Sequence, residues 1–225
     1  SRILHNTYLD GIYLSGGLQY FIPIKQKSKL GLGVVYENTA YIWARENILI
    51  NNFTGNFSST TDYDTIYYVD ADKGNLVIPQ KVGFGISYSY DNKLLVGADF
   101  SWQNWSNYEL MGKKDSLKDA FNVALGVQYT PDPTSSKYHK KMQFRVGTNF
   151  STGYLMLRDT PIQEFGVTFG IGFPFRTYTS QSSVNIMFEY GQMGTIQNDL
   201  ILQRYFKISL SFILHEKWYQ RVRLE

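Results

Sequence analysis

Phe165-Gly166-Val167-Thr168-Phe169-Gly170-Ile171-Gly172-Phe173-Pro174-Phe175 decides the fold. Alternate positions carry Phe165, Val167, Phe169, Ile171, Phe173 and Phe175. The positions between them carry Gly166, Thr168, Gly170 and Gly172. Successive side chains of a strand point to opposite faces, so this segment is a strand with one wholly apolar face. Its other face is small and uncharged. A soluble sandwich also alternates, but there the apolar face turns inward and the exposed face is charged or Thr-rich. Glycine and small polar residues suit a crowded interior better than bulk water.

The same pattern recurs on both sides of this segment. Val82–Tyr90 sets Val82, Phe84, Ile86, Tyr88 and Tyr90 against Gly83, Gly85, Ser87 and Ser89. Phe121–Tyr129 sets Phe121, Val123, Leu125, Val127 and Tyr129 against Asn122, Ala124, Gly126 and Gln128. Val184–Tyr190 and Phe206–Leu214 repeat it, and Ile12–Ile22, Leu30–Tyr36, Leu94–Trp102 and Phe144–Phe150 follow it less cleanly. Nine segments of this kind predict an all-β chain, an antiparallel transmembrane β-barrel spread over residues 1–225 as one domain. Most approach the roughly 9–11 residues that a tilted strand needs to cross the hydrocarbon layer.

Composition agrees. The chain holds 18 Tyr, 15 Phe and 19 Gly without Pro- or Ser-rich tracts, which excludes disorder. It has no cysteine, which removes disulfides, thiolate catalysis and Cys-ligated metal. Twenty-two Lys and Arg against 19 Asp and Glu form no basic run, so nucleic acid is not an expected partner. Apolar runs such as Tyr154–Leu157 are far shorter than the roughly 18 residues of a helical span.

Connection lengths predict the orientation. Lys25–Lys29, Asp91-Asn92, Pro131–Lys140 and Thr177–Gln181 fall at one end of the strands, and the long Ala44–Lys81 segment falls at the other. Short turns of outer-membrane barrels are periplasmic and long loops external. Nine strands with a descending last strand make the first descend too. Bacterial barrels have even strand numbers, so further upstream strands are expected. Trp102, Trp105 and Tyr108 at one strand end, and Trp218 and Tyr219 at the other, are the expected headgroup-level aromatics.

Several segments together resemble one family. They are Leu76–Pro79, Gly83–Tyr88, and Ala98-Asp99-Phe100-Ser101-Trp102-Gln103-Asn104-Trp105-Ser106-Asn107-Tyr108, with Phe188–Gly191 and Tyr205–Trp218 at the close. They look like the FadL-type outer-membrane transporters of fatty acids and aromatic hydrocarbons. That resemblance implies a fourteen-stranded barrel with an N-terminal hatch, of which this chain would be the C-terminal part. It implies passive uptake of small hydrophobic compounds, with lipid and a small hydrophobic molecule as partners. The rival expectation is a non-transporting subunit of an envelope machine for secretion or outer-membrane protein assembly, with other envelope proteins as partners.

Chemistry-bearing residues are sparse. His5, His139 and His215 lie near ends or turns with no partner at catalytic spacing, so no enzyme is expected. Asp70–Asn75 departs from the calcium-loop pattern at Lys73 and reads as a surface loop. Gly31-Leu32-Gly33 and Gly83-Phe84-Gly85 sit inside strands and open no helix. No cofactor or metal is expected. Glu37, Asp99, Arg145, Glu189 and Lys207 are the expected lumen-facing charges. Counting the Gly191–Gln203 hairpin about Gln197 predicts a diagonal Glu189–Lys207 contact. Glycines on the inward face predict close approach by further polypeptide filling the lumen.

Overall fold

The computed structural model describes residues 2–54, 62–176 and 181–214. Nine strands form one antiparallel sheet, and each expected segment is represented. They are β2 (Ser15–Lys25), β3 (Ser28–Glu37), β6 (Lys81–Tyr90), β7 (Leu94–Gln103), β10 (Ala120–Tyr129), β11 (Gln143–Ser151), β14 (Glu164–Arg176), β15 (Gln181–Gly194) and β16 (Leu202–Ile213). Each pairs with the next in that order, a meander whose edges are β2 and β16. Among the described residues these edges do not pair with one another, so the sheet is open and no closed barrel is seen.

Register aligns like with like. Leu18, Val34, Phe84, Phe100, Val123, Phe150 and Phe165 follow one another across the sheet as directly opposed residues. The adjacent row on the other face runs Gly33, Gly85, Asp99, Ala124, Asn149 and Gly166. One face is therefore continuously apolar and the other small and polar. The apolar face is uncovered: Phe206, Ile208, Leu210 and Phe212 are 63%, 63%, 59% and 64% exposed. The buried apolar side chains among the described residues are Ala40, Ala44 and Ala120. The chain exposes 16980 Å², against about 10,500 Å² for a folded soluble monomer of its mass.

The Ala44–Lys81 segment is not a loop. It forms β4 (Ala40–Thr54) and β5 (Asp62–Ile78), a long hairpin paired on its outer side with β1 (Arg2–Asp10), which precedes the first expected strand. This arm is a sheet of its own whose residue count runs on from that of the nine-stranded sheet. Glu37 opposes Lys81, and three residues further along the same count Ala40 opposes Ile78. The interruption is at Asn38-Thr39 and Pro79-Gln80, where Pro79 is fully buried. Asp70–Asn75, read as a loop, lies within β5, where Asp72 opposes Glu46 and Lys73 opposes Arg45. At roughly 3.3 Å per residue, β4 is about 50 Å long.

Long connections share the arm's end of the sheet. They hold β8 (Glu109–Leu110), β9 (Lys113–Lys114), β12 (Met156–Leu157) and β13 (Thr160–Pro161). β8 pairs with β5, and Met111 N–H donates to Asn75 O at 2.9 Å. At the opposite end the turns are short. Asp91 and Asn92 take φ of 50° and 52°, the left-handed pair of a tight hairpin, closed by Lys93 N–H to Tyr90 O at 2.8 Å. The Pro131–Lys140 connection carries one helical turn, α1 (Tyr138–Lys141).

Candidate interaction surfaces

The small-residue face is grooved. Two grooves of about 400 Å³ and 590 Å³ run over it, the first along Gly83, Gly85 and Asp99, the second along Gly126, Arg145 and Glu189. Four of the five charges expected on this face, Glu37, Arg145, Glu189 and Lys207, are held by their own neighbours. Glu37 Oε1 and Lys81 Nζ lie 3.4 Å apart, as do Glu189 Oε2 and Lys207 Nζ. Glu189 opposes Lys207 directly rather than diagonally, because the hairpin centres on Asn198 and not Gln197. Tyr205 lies within hydrogen-bonding distance of Glu164 Oε1 (2.8 Å) and Glu189 Oε1 (3.1 Å).

Arg145 spans four strands. Its Nε donates to Gln128 Oε1 at 2.8 Å, its Nη1 to Asn185 Oδ1 at 2.7 Å, and its Nη2 to Gln143 Oε1. The side chain crosses β14 where Gly172 stands; a Cβ there would come 3.2 Å from Nη1 and 2.8 Å from Asn185 Oδ1. Tyr205 likewise covers Gly191, and the Asp99 carboxylate lies over Gly85. These three glycines make room for side chains of the wall itself. Asp99 forms no salt bridge among the described residues.

At the arm's end the loops are laced together. Trp105 stacks on Tyr154 with ring centres 4.5 Å apart, and Tyr108 lies 5.8 Å from Trp105. Lys118 N–H donates to Tyr154 O, and Leu117 bridges Leu155. Arg158 Nη1 donates to Asn198 O at 2.8 Å, and Asn198 Nδ2 to Thr160 Oγ1 at 2.7 Å. Trp105 and Tyr108 are thus brought together. Trp102 stands apart, opposing Val82 and Phe121 on the apolar face. Trp218, Tyr219 and His215 lie outside the described residues. Tyr154 was missed because it sits in an irregular connection.

The arm carries a patch that alternation did not reveal. Tyr8, Arg45 and Lys73 form one cross-strand row, and Asp10, Trp43 and Asn75 the next, on the same face of the ribbon. Tyr8, Tyr41 and Trp43 are 59%, 68% and 73% exposed, and a hollow of about 480 Å³ lies among Tyr8, Trp43, Arg45 and Lys73. Trp, Tyr and Arg dominate the energetic centres of protein interfaces. At the root of the arm, Tyr13 donates a hydrogen bond to Glu37 Oε2. His5 pairs with Glu46 on the arm, while His139 is exposed on α1.

A family model named BamG, from the outer-membrane protein assembly machinery, matches residues 1–225. The chain belongs to the BamG family. No curated protein matches it. Membership in BamG overturns the FadL-type resemblance and the uptake of hydrophobic compounds inferred from it. The segments behind that resemblance are alternating strands, a turn and a cluster of strand-end aromatics. Those features belong to a class of wall and not to one activity. BamG membership associates the chain with the outer-membrane envelope and with other envelope proteins.

Proposed function

We propose that this BamG-family chain is a wall-and-arm subunit of the assembly machinery. Its nine-stranded sheet lies in the outer membrane as part of a barrel wall, and its arm holds another envelope protein. The exposed Tyr8, Tyr41 and Trp43 beside Arg45 and Lys73 carry this reading, because they stand on a ribbon register-locked to the sheet. The laced loops extend the platform with a mostly apolar groove of about 560 Å³ between Leu155, Leu157, Ile162, Met193 and Ile201. The uncovered apolar face supports placement in lipid, since soluble monomers rarely expose patches above a few hundred Å². The subunit's role is to position and dock.

The test is co-purification from membranes after mild crosslinking. Trp43→Ala with Tyr41→Ala is expected to abolish recovery of envelope proteins while leaving the chain folded in the membrane. Undiminished recovery of the same proteins overturns the docking role of the arm. Recovery of the chain from the soluble fraction overturns the wall.

A further inference from the structure

The end of the sheet opposite the arm carries a second, differently built surface. The β2–β3 turn places Lys25, Lys27 and Lys29 there, and Lys93 follows from the β6–β7 turn. Lys137, Lys140 and Lys141 come from the β10–β11 connection. Backbone hydrogen bonds join these turns into one rim: Asp91 N–H donates to Lys27 O at 2.8 Å, and Thr130 N–H to Lys93 O at 2.7 Å. The acids on the rim are Asp91 and Asp132. Asp91 lies 3.2 Å from Lys27 Nζ and 3.7 Å from Lys93 Nζ. Among the described residues Lys25, Lys29, Lys137, Lys140 and Lys141 form no salt bridge.

A second feature lies beside the rim. Tyr88, Tyr90 and Tyr129 stand on the apolar face within a few residues of the turns, 36%, 45% and 50% exposed. Tyr90 and Tyr129 flank Leu94 from the two neighbouring strands, and Tyr88 lies next along β6. Tyrosine rings favour the headgroup level, and lysines just beyond them reach outward with their stems on apolar surface. An acidic protein would need the lysines but not the tyrosine band; a lipid leaflet uses both.

We propose that this rim binds the headgroups of anionic phospholipids in the leaflet next to the short turns. The proposal rests on the wall reading, because the band and the rim meet a leaflet only if the apolar face is in lipid. The band sets the depth of the sheet and the lysines that form no salt bridge take the lipid phosphates. Basic residues near an anionic surface contribute about 1 kcal/mol each, roughly five-fold in partition.

The full chain is reconstituted into nanodiscs of phosphatidylcholine with or without phosphatidylglycerol, then extracted in mild detergent for native mass spectrometry. Retained phosphatidylglycerol is expected at low salt and is expected to fall as salt rises. Lys29→Gln, Lys137→Gln, Lys140→Gln and Lys141→Gln together are expected to lower retention at least roughly ten-fold. Lys113→Gln with Lys114→Gln, at the other end, should leave it unchanged. Equal retention by the rim variant and the parent overturns the proposal, as does retention by an acidic protein in place of lipid. Failure to enter nanodiscs of either composition overturns the wall reading, and the rim with it.

Discussion

Glu189 on β15 stands directly across from Lys207 on β16, with Oε2 and Nζ 3.4 Å apart. The carboxylate also lies 3.1 Å from the Tyr205 hydroxyl, two positions along the same strand as Lys207. Lys207 is 62% exposed and Glu189 19%. The ammonium end is therefore screened by solvent, and the carboxylate is held from two sides.

A double-mutant cycle of Glu189→Gln and Lys207→Gln should return a coupling of only about 0.5 kcal/mol, as exposed pairs do. Glu189→Gln alone should cost more than Lys207→Gln alone, since it also disturbs Tyr205. Unfolding in denaturant after refolding into detergent or lipid measures all three. Equal single-mutant costs would show that Tyr205 adds nothing.

Val167 and Ile208 lie on the apolar face, 43% and 63% exposed. Arginine at either position should lower stability in a bilayer by about 2–4 kcal/mol near the midplane. On a face bathed in water the same change would be close to neutral. Folding titrations into vesicles distinguish the two cases.

Glycines of this chain should differ sharply in tolerance. Gly194 has φ of +91°, and an added Cβ would run into Ile201 O, so Gly194→Ala should cost about 1–3 kcal/mol. Gly97 and Gly126 meet nothing closer than 3.9 Å and 4.0 Å. Alanine there should be neutral or slightly stabilising, because glycine in a strand interior carries an entropic cost. Melting of the three variants in parallel tests the ranking.

Tyr13 sits in the link between β1 and β2. Partial burial, then its hydrogen bond to Glu37 and that carboxylate's charge, push its pKa up to about 12 from 10.0. A phenol whose folded pKa is raised contributes stability that is fully present below pH 10 and is lost as pH rises toward 12. Parent and Tyr13→Phe should therefore converge in stability across that window. A difference that holds constant from neutral pH upward would remove Tyr13 from the account.

Much of the sheet was legible because one face of each strand is apolar and the other small. A slip of one residue would turn every side chain over, so alternation sets both strand and face. The arm was not legible. Along β4 and β5 the register shifts twice, the extra residues falling in β5 between Val69 and Asp72 and between Thr65 and Tyr67, and each shift breaks that strand's period of two. Polar and apolar residues mix within Arg45-Glu46-Asn47-Ile48-Leu49, so neither face stands out. The Tyr8–Trp43 patch depends on pairing residues far apart in sequence, which local pattern does not carry. The Glu189–Lys207 contact was anticipated with its register off by two residues, because Asn198 and Asp199 both take positive φ in a loop centred on Asn198. The lysine rim is dispersed over three connections and became a single surface only when the turns were joined.

The unbroken count from Glu37–Lys81 to Ala40–Ile78 also has a mechanical meaning. An arm joined by a loose linker could swing freely, and a pull on its tip would end at the hinge. Here β3 leads into β4 and β5 into β6 across two residues each, and the partners stay on one count, so the two strands act as a short-jointed lever. A load applied at Trp43 arrives as shear along the hydrogen-bond rows between β3 and β6, first at the Glu37–Lys81 ion pair. Whatever grips the arm therefore bends the sheet as well.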